Sequence, residues 1–221
     1  MIPPLQLGRR QPCEMTFQLM RKPRPDAGPS REFLLDFRQG LPREWLLFQD
    51  ISRGDWLTHE NYGPVSELWL NRHDGFRNMG NILITLLKQY RENQLGAERF
   101  AAMLAPQLQR FLSELHSHNM VEDQQYFPAL LKVEPDLLQG MELLESDHAQ
   151  LHQRMEAVVQ NAAQLFTAIR NGDQDAIQAA ADTYERASTA MLMGLKRHLT
   201  DEEDLIMPVI LGRGEAGIDL S

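Results

Sequence analysis

The sequence predicts an all-α protein, an up-down antiparallel four-helix bundle with an N-terminal extension. Seven of the twelve prolines fall in the first 63 residues, which disfavours long helices there. From Pro64 onward, apolar residues recur at alternating steps of three and four, as in a helix that buries one face in a bundle. Breaks at residues 93–98, 132–136 and 170–175 divide this pattern into four long helices.

The first part of the chain is expected to be an arm, residues 1–64, that precedes the bundle at 65–212 and a short tail at 213–221. Within the arm, "FLLDF" (33–37) and "WLLFQDI" (45–51) have enough apolar surface to need cover. We expect these short helical pieces to pack on the outside of the bundle. The alternative is that they contact a second chain and form a homodimer.

Residues typical of helix ends mark the breaks between the four helices. Pro135 suits the first turn of a helix. Gly172 suits the last position of one helix, and Asp173 suits the N-cap of the next.

Composition limits the setting and the partners of the chain. The net charge of −9 argues against nucleic acid and anionic membranes as partners. The longest apolar run, near Ile82, is too short to span a membrane, and the N-terminus lacks the pattern of a secretory signal. Cys13, the single cysteine, cannot form an intrachain disulfide. We therefore expect a soluble, cytoplasmic protein.

Seven polar side chains interrupt the apolar stripes of the predicted helices. One buried histidine is usually structural, but a set of unpaired buried imidazoles and carboxylates would be costly. Residues four apart project from one helix face and can hold one cation or bridge two. Three such pairs occur here, with a further histidine on the remaining helix. The seven residues are His73, His118, Glu122, His148, His152, His198 and Glu202.

These seven side chains predict a binuclear metal site, because they exceed the six ligands that one first-row ion usually takes. The absence of sulfur disfavours thiolate sites, whereas imidazole with carboxylate suits iron, manganese or zinc. Glu122 and Glu202 are the natural bridges. Other metal motifs fit less well: "HAQLH" lacks the glutamate of a zincin, and "ESDH" is the single E-x-x-H element where a ferritin-like site needs two.

Four motifs carry a resemblance to a known family. "RHDGF", "HNMVEDQQYFP", "ESDHAQLH" and "HLTDEEDLIMP", in this order, resemble the hemerythrin-like, HHE cation-binding domain over about residues 65 to 212. The resemblance implies a hemerythrin-type bundle with two non-haem iron ions. It also implies the ligands: His148, His152 and His198 on one iron, His73 and His118 on the other, and Glu122 and Glu202 as bridges beside an oxo or hydroxo group.

The resemblance further implies an open position on the second iron, where dioxygen or nitric oxide would bind. Oxygen-carrying hemerythrins end their pattern with H-x-x-x-x-D, whereas this chain has H-x-x-x-E. Glu203 has the carrier spacing but lies one step off the stripe, which favours Glu202. We therefore expect sensing or protection rather than bulk transport. Two alternatives remain open: a di-iron enzyme that acts on peroxide or oxygen, and an iron-dependent regulatory or interaction module.

Several residues next to the predicted ligands are candidates for supporting roles. Asp123, Glu145 and Asp147 border the ligands and could accept hydrogen bonds from imidazole N–H groups. His59 and His116 are expected at the surface. The arm contains no metal-ligand spacing, so we expect that deleting residues 1–60 leaves the metal content intact.

Overall fold

The computed structural model of the protein describes residues 33–218, in which there are helices and no strands. Four long helical elements pack together, so the predicted all-α bundle of hemerythrin type with an N-terminal extension is confirmed. The second element consists of α2, a π-helical segment at Glu122–Tyr126 and α3, which follow one another without a break. The helices are α1 Pro64–Arg91, α2 Ala97–Val121, α3 Phe127–Val133, α4 Leu138–Asn171 and α5 Gln174–Arg213.

The helix ends follow the predicted signals closely. Gly172 ends α4 in the left-handed conformation, and its N–H donates to the carbonyls of Ala168 and Ile169. The Asp173 carboxylate accepts from two backbone N–H groups in the first turn of α5, as an N-cap does. Pro135 begins a short 3₁₀ turn that leads into α4. These tight connections make consecutive helices antiparallel neighbours.

The apolar core forms two clusters at different heights in the bundle. One contains Phe76, Leu151 and Leu195, and the other contains Leu144 and Leu205. The boundary between the two clusters lies at His73 on α1, at His148 on α4 and at Glu202 on α5. The polar site is therefore enclosed between two apolar layers.

The described part of the arm, residues 33–63, lies against this bundle. Leu35 is buried in the first cluster and Trp56 in the second. Short 3₁₀ turns occur at Arg43–Trp45 and Trp56–Thr58. The earlier part of the predicted arm, with Cys13, lies outside the described residues.

Two further features concern the helices themselves. Glu145 is exposed, because Leu144 and Asp147 occupy the buried face of α4 there. Within residues 33–218, no helix combines the length and the apolar character that crossing a membrane requires.

Gly172 and Gly75 should respond to alanine in opposite ways. Gly172 has a φ of +74°, so alanine there should lower the free energy of unfolding by about 1 to 2 kcal/mol, although no neighbouring atom blocks its Cβ. Gly75 lies inside α1 with open space around its Cβ, so Gly75→Ala should raise stability by roughly 0.5 to 1 kcal/mol. Urea denaturation of both variants tests this. Equal effects would contradict the helix boundary at Gly172.

Candidate metal centre

Six of the seven predicted ligands meet in the interior of the bundle. They come from all four helical elements, and the least buried of them, His118, has a side chain only 9% exposed. Glu122 is the first residue of the π-helical segment. The six residues are His73 on α1, His118 on α2, Glu122, His148 on α4, and His198 and Glu202 on α5.

These six residues form two overlapping groups that share Glu122. The first group contains His73, His118, Glu122 and Glu202, and the second contains Glu122, His148 and His198. Within each group, one potential ligand atom from every residue lies within 4.8 Å of the others. Each group could therefore hold one cation.

Both glutamates direct one oxygen toward each side of the site. Glu122 Oε1 lies 2.8 Å from His118 Nε2, while its Oε2 lies 3.4 Å from His148 Nε2. Glu202 Oε1 lies 3.6 Å from His73 Nε2, and its Oε2 lies 3.5 Å from His198 Nε2. A carboxylate placed in this way can bridge two cations.

Six polar atoms at the centre of the site lack hydrogen-bond partners among the described residues. Both oxygens of Glu122 and of Glu202 are buried without such a partner, as are Nε2 of His73 and Nε2 of His118. The short contact between His118 and Glu122 does not have the angles of a hydrogen bond. Because a buried carboxylate without donors is strongly unfavourable, a cation is a partner that suits this donor set. The residues present therefore fit a metal centre.

The pKa values follow from the same crowding of histidines and carboxylates. Burial alone would raise the pKa of Glu122, but contacts with His118, His148 and His73 hold it well below its usual value. Burial likewise opposes a charge on His148, yet Asp123 and Glu122 raise its pKa to about 10. Protons on histidines thus balance the carboxylates when no cation does, and a metal would replace them.

His152, the seventh predicted ligand, lies outside both groups. Its Nε2 is 3.1 Å from Glu156 Oε1, and its ring centroid is 5.6 Å from that of His116. His116 is itself partly buried rather than fully exposed, and so is His59.

Three carboxylates contact the Nδ1 atoms of histidines in the site, on the side of each ring that faces away from the centre. Asp123 lies 2.7 Å from His148 Nδ1, and Asp147 lies 3.4 Å from His198 Nδ1, as their neighbouring positions suggested. Glu203 lies 3.0 Å from His73 Nδ1, a contact that the sequence did not predict. Such contacts orient metal-binding imidazoles. No contact of this kind involves Glu145 among the described residues.

Arginines of the arm reach these supporting carboxylates. Arg38 is buried and pairs with Asp147, while Arg53 pairs with Glu203. The expectation that the arm can be deleted without loss of metal considered ligands alone. These ion pairs argue against it, because deletion would remove an arginine partner from each of two buried carboxylates.

The π-helical segment at Glu122–Tyr126 was not predicted either. The backbone N–H of Phe127 donates to the carbonyl of Glu122, five residues earlier, instead of to that of Asp123. The extra residue in this turn rotates the helix after Glu122 relative to α2. Such segments often occur at functional sites.

A cavity of about 260 Å³ leads from the surface between α1 and α2 to the first group. His118 and Glu122 line its inner end, and the rings of Trp69 and Tyr126 also line it, 5.1 Å apart. Leu68 lies at its rim and is 57% exposed. A small molecule could approach the first group by this route.

Comparison with known proteins agrees with this geometry. The family model of the hemerythrin HHE cation binding domain matches residues 65–210, which is more than half of the chain and includes all seven predicted ligands. No curated protein and no solved structure matches the chain. The histidine and glutamate groups and the matched range together show that the chain belongs to the hemerythrin HHE cation-binding domain family.

Proposed function

We propose that this protein holds two non-haem iron ions and binds a small diatomic ligand, dioxygen or nitric oxide, for sensing or protection. The observation that carries the proposal is the pair of buried groups that share Glu122, next to a cavity that reaches one of them. We also propose the cytoplasmic location that the composition suggests.

Glu122 and Glu202 would bridge the two ions, because each directs one oxygen to either group. His148 and His198 would hold one ion, and their Nε2 atoms already lie 3.0 Å apart. His152 would complete this set after its side chain turns away from Glu156. His73 and His118 would hold the other ion.

The ion held by His73 and His118 would have fewer protein ligands and would supply an open coordination position. The cavity ends at His118 and Glu122, which supports this side as the binding side. Leu68, Trp69 and Tyr126 make much of its wall apolar. A neutral diatomic molecule can pass along such an apolar cavity at little cost in free energy, whereas a charged substrate would lose its hydration.

The position of Glu203 supports Glu202 as the bridge. Glu203 contacts Nδ1 of His73, on the side of the ring that faces away from both groups. Burial would raise the pKa of Glu203, but His73, Arg53 and Arg77 lower it to about 2, so it stays ionised as a hydrogen-bond acceptor. With Glu202 as the bridge, the motif keeps the H-x-x-x-E spacing of this chain instead of the H-x-x-x-x-D spacing of oxygen carriers. This difference favours sensing or protection over transport.

The ligand assignment predicts close to two metals per chain in protein purified with adequate iron. Glu122→Ala and Glu202→Ala should each lose more metal than His116→Ala and His59→Ala, because the glutamates bridge and the two histidines lie outside both groups. Metal analysis by mass spectrometry tests this. One metal per chain that does not rise on reconstitution, or equal retention in all four variants, would refute the assignment.

Removal of the metal should lower the melting temperature. A metal present at 100 times its dissociation constant adds about 2.7 kcal/mol to the free energy of unfolding. For a chain of this length, that corresponds to roughly 5 to 10 °C. Calorimetry before and after chelation, with metal removal verified by analysis, measures the difference. An unchanged melting temperature would mean that water satisfies the buried carboxylates.

Entry through the cavity predicts that Leu68→Trp slows the binding of nitric oxide to the reduced iron protein by about tenfold or more, since the new ring would narrow the rim. Ile84→Trp is the matched control: Ile84 lies on the same helix, is 52% exposed and lines a different groove. Stopped-flow absorption gives both rates. Equal rates in the two variants at equal metal content would exclude this route.

The same optical measurements separate ligand binding from enzymatic turnover. A stable adduct that forms on adding dioxygen or nitric oxide and disappears when the gas is removed supports the proposed function. Repeated consumption of peroxide or oxygen would instead favour the di-iron enzyme.

A further inference from the structure

Two histidines, one from each group, are held by carboxylates that pair with arginines of the arm. His198 contacts Asp147, and Asp147 pairs with Arg38. His73 contacts Glu203, and Glu203 pairs with Arg53. On each side of the candidate metal centre, one carboxylate therefore links an arginine of the arm to a histidine.

Arg38 is buried as deeply as the carboxylates that it contacts. Its guanidinium donates to both oxygens of Asp147, and its Nε donates to Asp201 Oδ2 at 2.7 Å. Asp147 and Asp201 are fully buried. Arg197 also pairs with Asp201 and donates to the carbonyl of Gln39, which ties α5 to the arm. Two arginines and two aspartates thus form a network of balanced charge that is buried except at Arg197, whose side chain is 23% exposed.

Arg53 supports the other histidine, His73, through Glu203, and Arg53 is more exposed than Arg38. Its Nη1 lies 2.5 Å from Glu203 Oε2, and its Nη2 lies 2.7 Å from Asp204. Arg77 of α1 contacts the other oxygen of Glu203 at 2.7 Å, the same oxygen that contacts His73. The Arg53 guanidinium also stacks over the ring of Trp56, which anchors it to the arm.

The arginines restrict where each carboxylate can point. The guanidinium fork of Arg38 binds both oxygens of Asp147 in one plane, which a single contact to an imidazole cannot do. At Glu203, Arg53 contacts one oxygen and Arg77 contacts the other. The carboxylate in turn determines the orientation of the imidazole and which ring nitrogen carries the proton. Loss of such a partner typically lowers metal affinity by about 10- to 100-fold.

We propose, on the basis of the two-metal function proposed above, that residues 33–63 are an integral part of the metal centre. Arg38 and Arg53 are positioning residues: through Asp147 and Glu203 they hold the rings of His198 and His73. Residues 33–63 thereby determine how tightly the protein retains its metal, although they contribute no ligand.

The test compares Arg38→Gln and Arg53→Gln with Arg154→Gln in the full chain. Arg154 is the matched control, because its ion pair with Asp36 at 2.9 Å also ties the arm to the bundle, but Asp36 contacts no histidine among the described residues. Each protein is loaded with Fe²⁺ without oxygen, and release of iron into a ferrous chelator is followed. Arg38→Gln and Arg53→Gln should release iron about tenfold faster than the wild type. Arg154→Gln should match the wild type.

A second measurement separates positioning from general stability. Loaded with Co²⁺ instead, Arg53→Gln should show a changed visible absorption spectrum, while Arg154→Gln retains that of the wild type. Arg53 is suited to this measurement because its side chain is 47% exposed, so the variant should fold even if Arg38→Gln does not.

The outcomes also distinguish this role of the arm from the function on which it depends. A wild type that binds no metal would refute both. A wild type that binds two metals, with Arg53→Gln indistinguishable from Arg154→Gln in release rate and in spectrum, would refute the role of the arm alone.

Discussion

The structure depends on two carboxylates, Glu122 and Glu202, that are fully buried and have no hydrogen-bond donor among the described residues. Unpaired carboxylates in a protein interior are among the most unfavourable arrangements a fold can contain. Histidines surround both of them, so protons on the imidazoles or cations must balance the charge. Metal ions bound to both groups would do so by coordinating the free atoms, which would couple folding to metal binding.

The rest of the fold isolates this cluster from water and restricts its side chains. Two apolar clusters enclose it from either end of the bundle. The ring of Phe127 stacks on His148, with centroids 5.7 Å apart, directly after the π-helical segment that begins at Glu122. Supporting carboxylates and arginines then hold the outward side of the rings. The ligand side chains are thus restricted by three layers of contact: apolar packing, carboxylates and guanidinium groups.

Much of this organisation could be predicted from sequence because it is local. The helices follow from the spacing of apolar residues, the ends of α4 and α5 from Gly172 and Asp173, and the meeting of the six residues from their regular place on helix faces. The contacts of Arg38 with Asp147 and Asp201 could not be predicted, since they join residues more than 100 positions apart and no local pattern marks them. The π-helical segment is equally invisible, because one extra residue in a turn leaves no signal in composition. His152 shows a limit of another kind: helix spacing specifies the face of the residue, whereas the side-chain rotamer decides whether it reaches the centre.

The two sides of the centre differ in a way that bears on their chemistry. His148 and His198 lie in contact with each other, and Asp147, Arg38 and Asp201 form a buried network behind His198, whereas Asp123 behind His148 is partly exposed. His73 and His118 adjoin the cavity, and the arginines that pair with Glu203 are partly exposed. Rigid, dry surroundings favour a constant ligand set, while access and partly hydrated surroundings allow a ligand to enter and leave. The asymmetry therefore supports a division in which one group anchors the centre and the other exchanges small molecules. Since an arginine from the arm contributes to the support of each group, a displacement of residues 33–63 would alter both the retention of metal and the binding side.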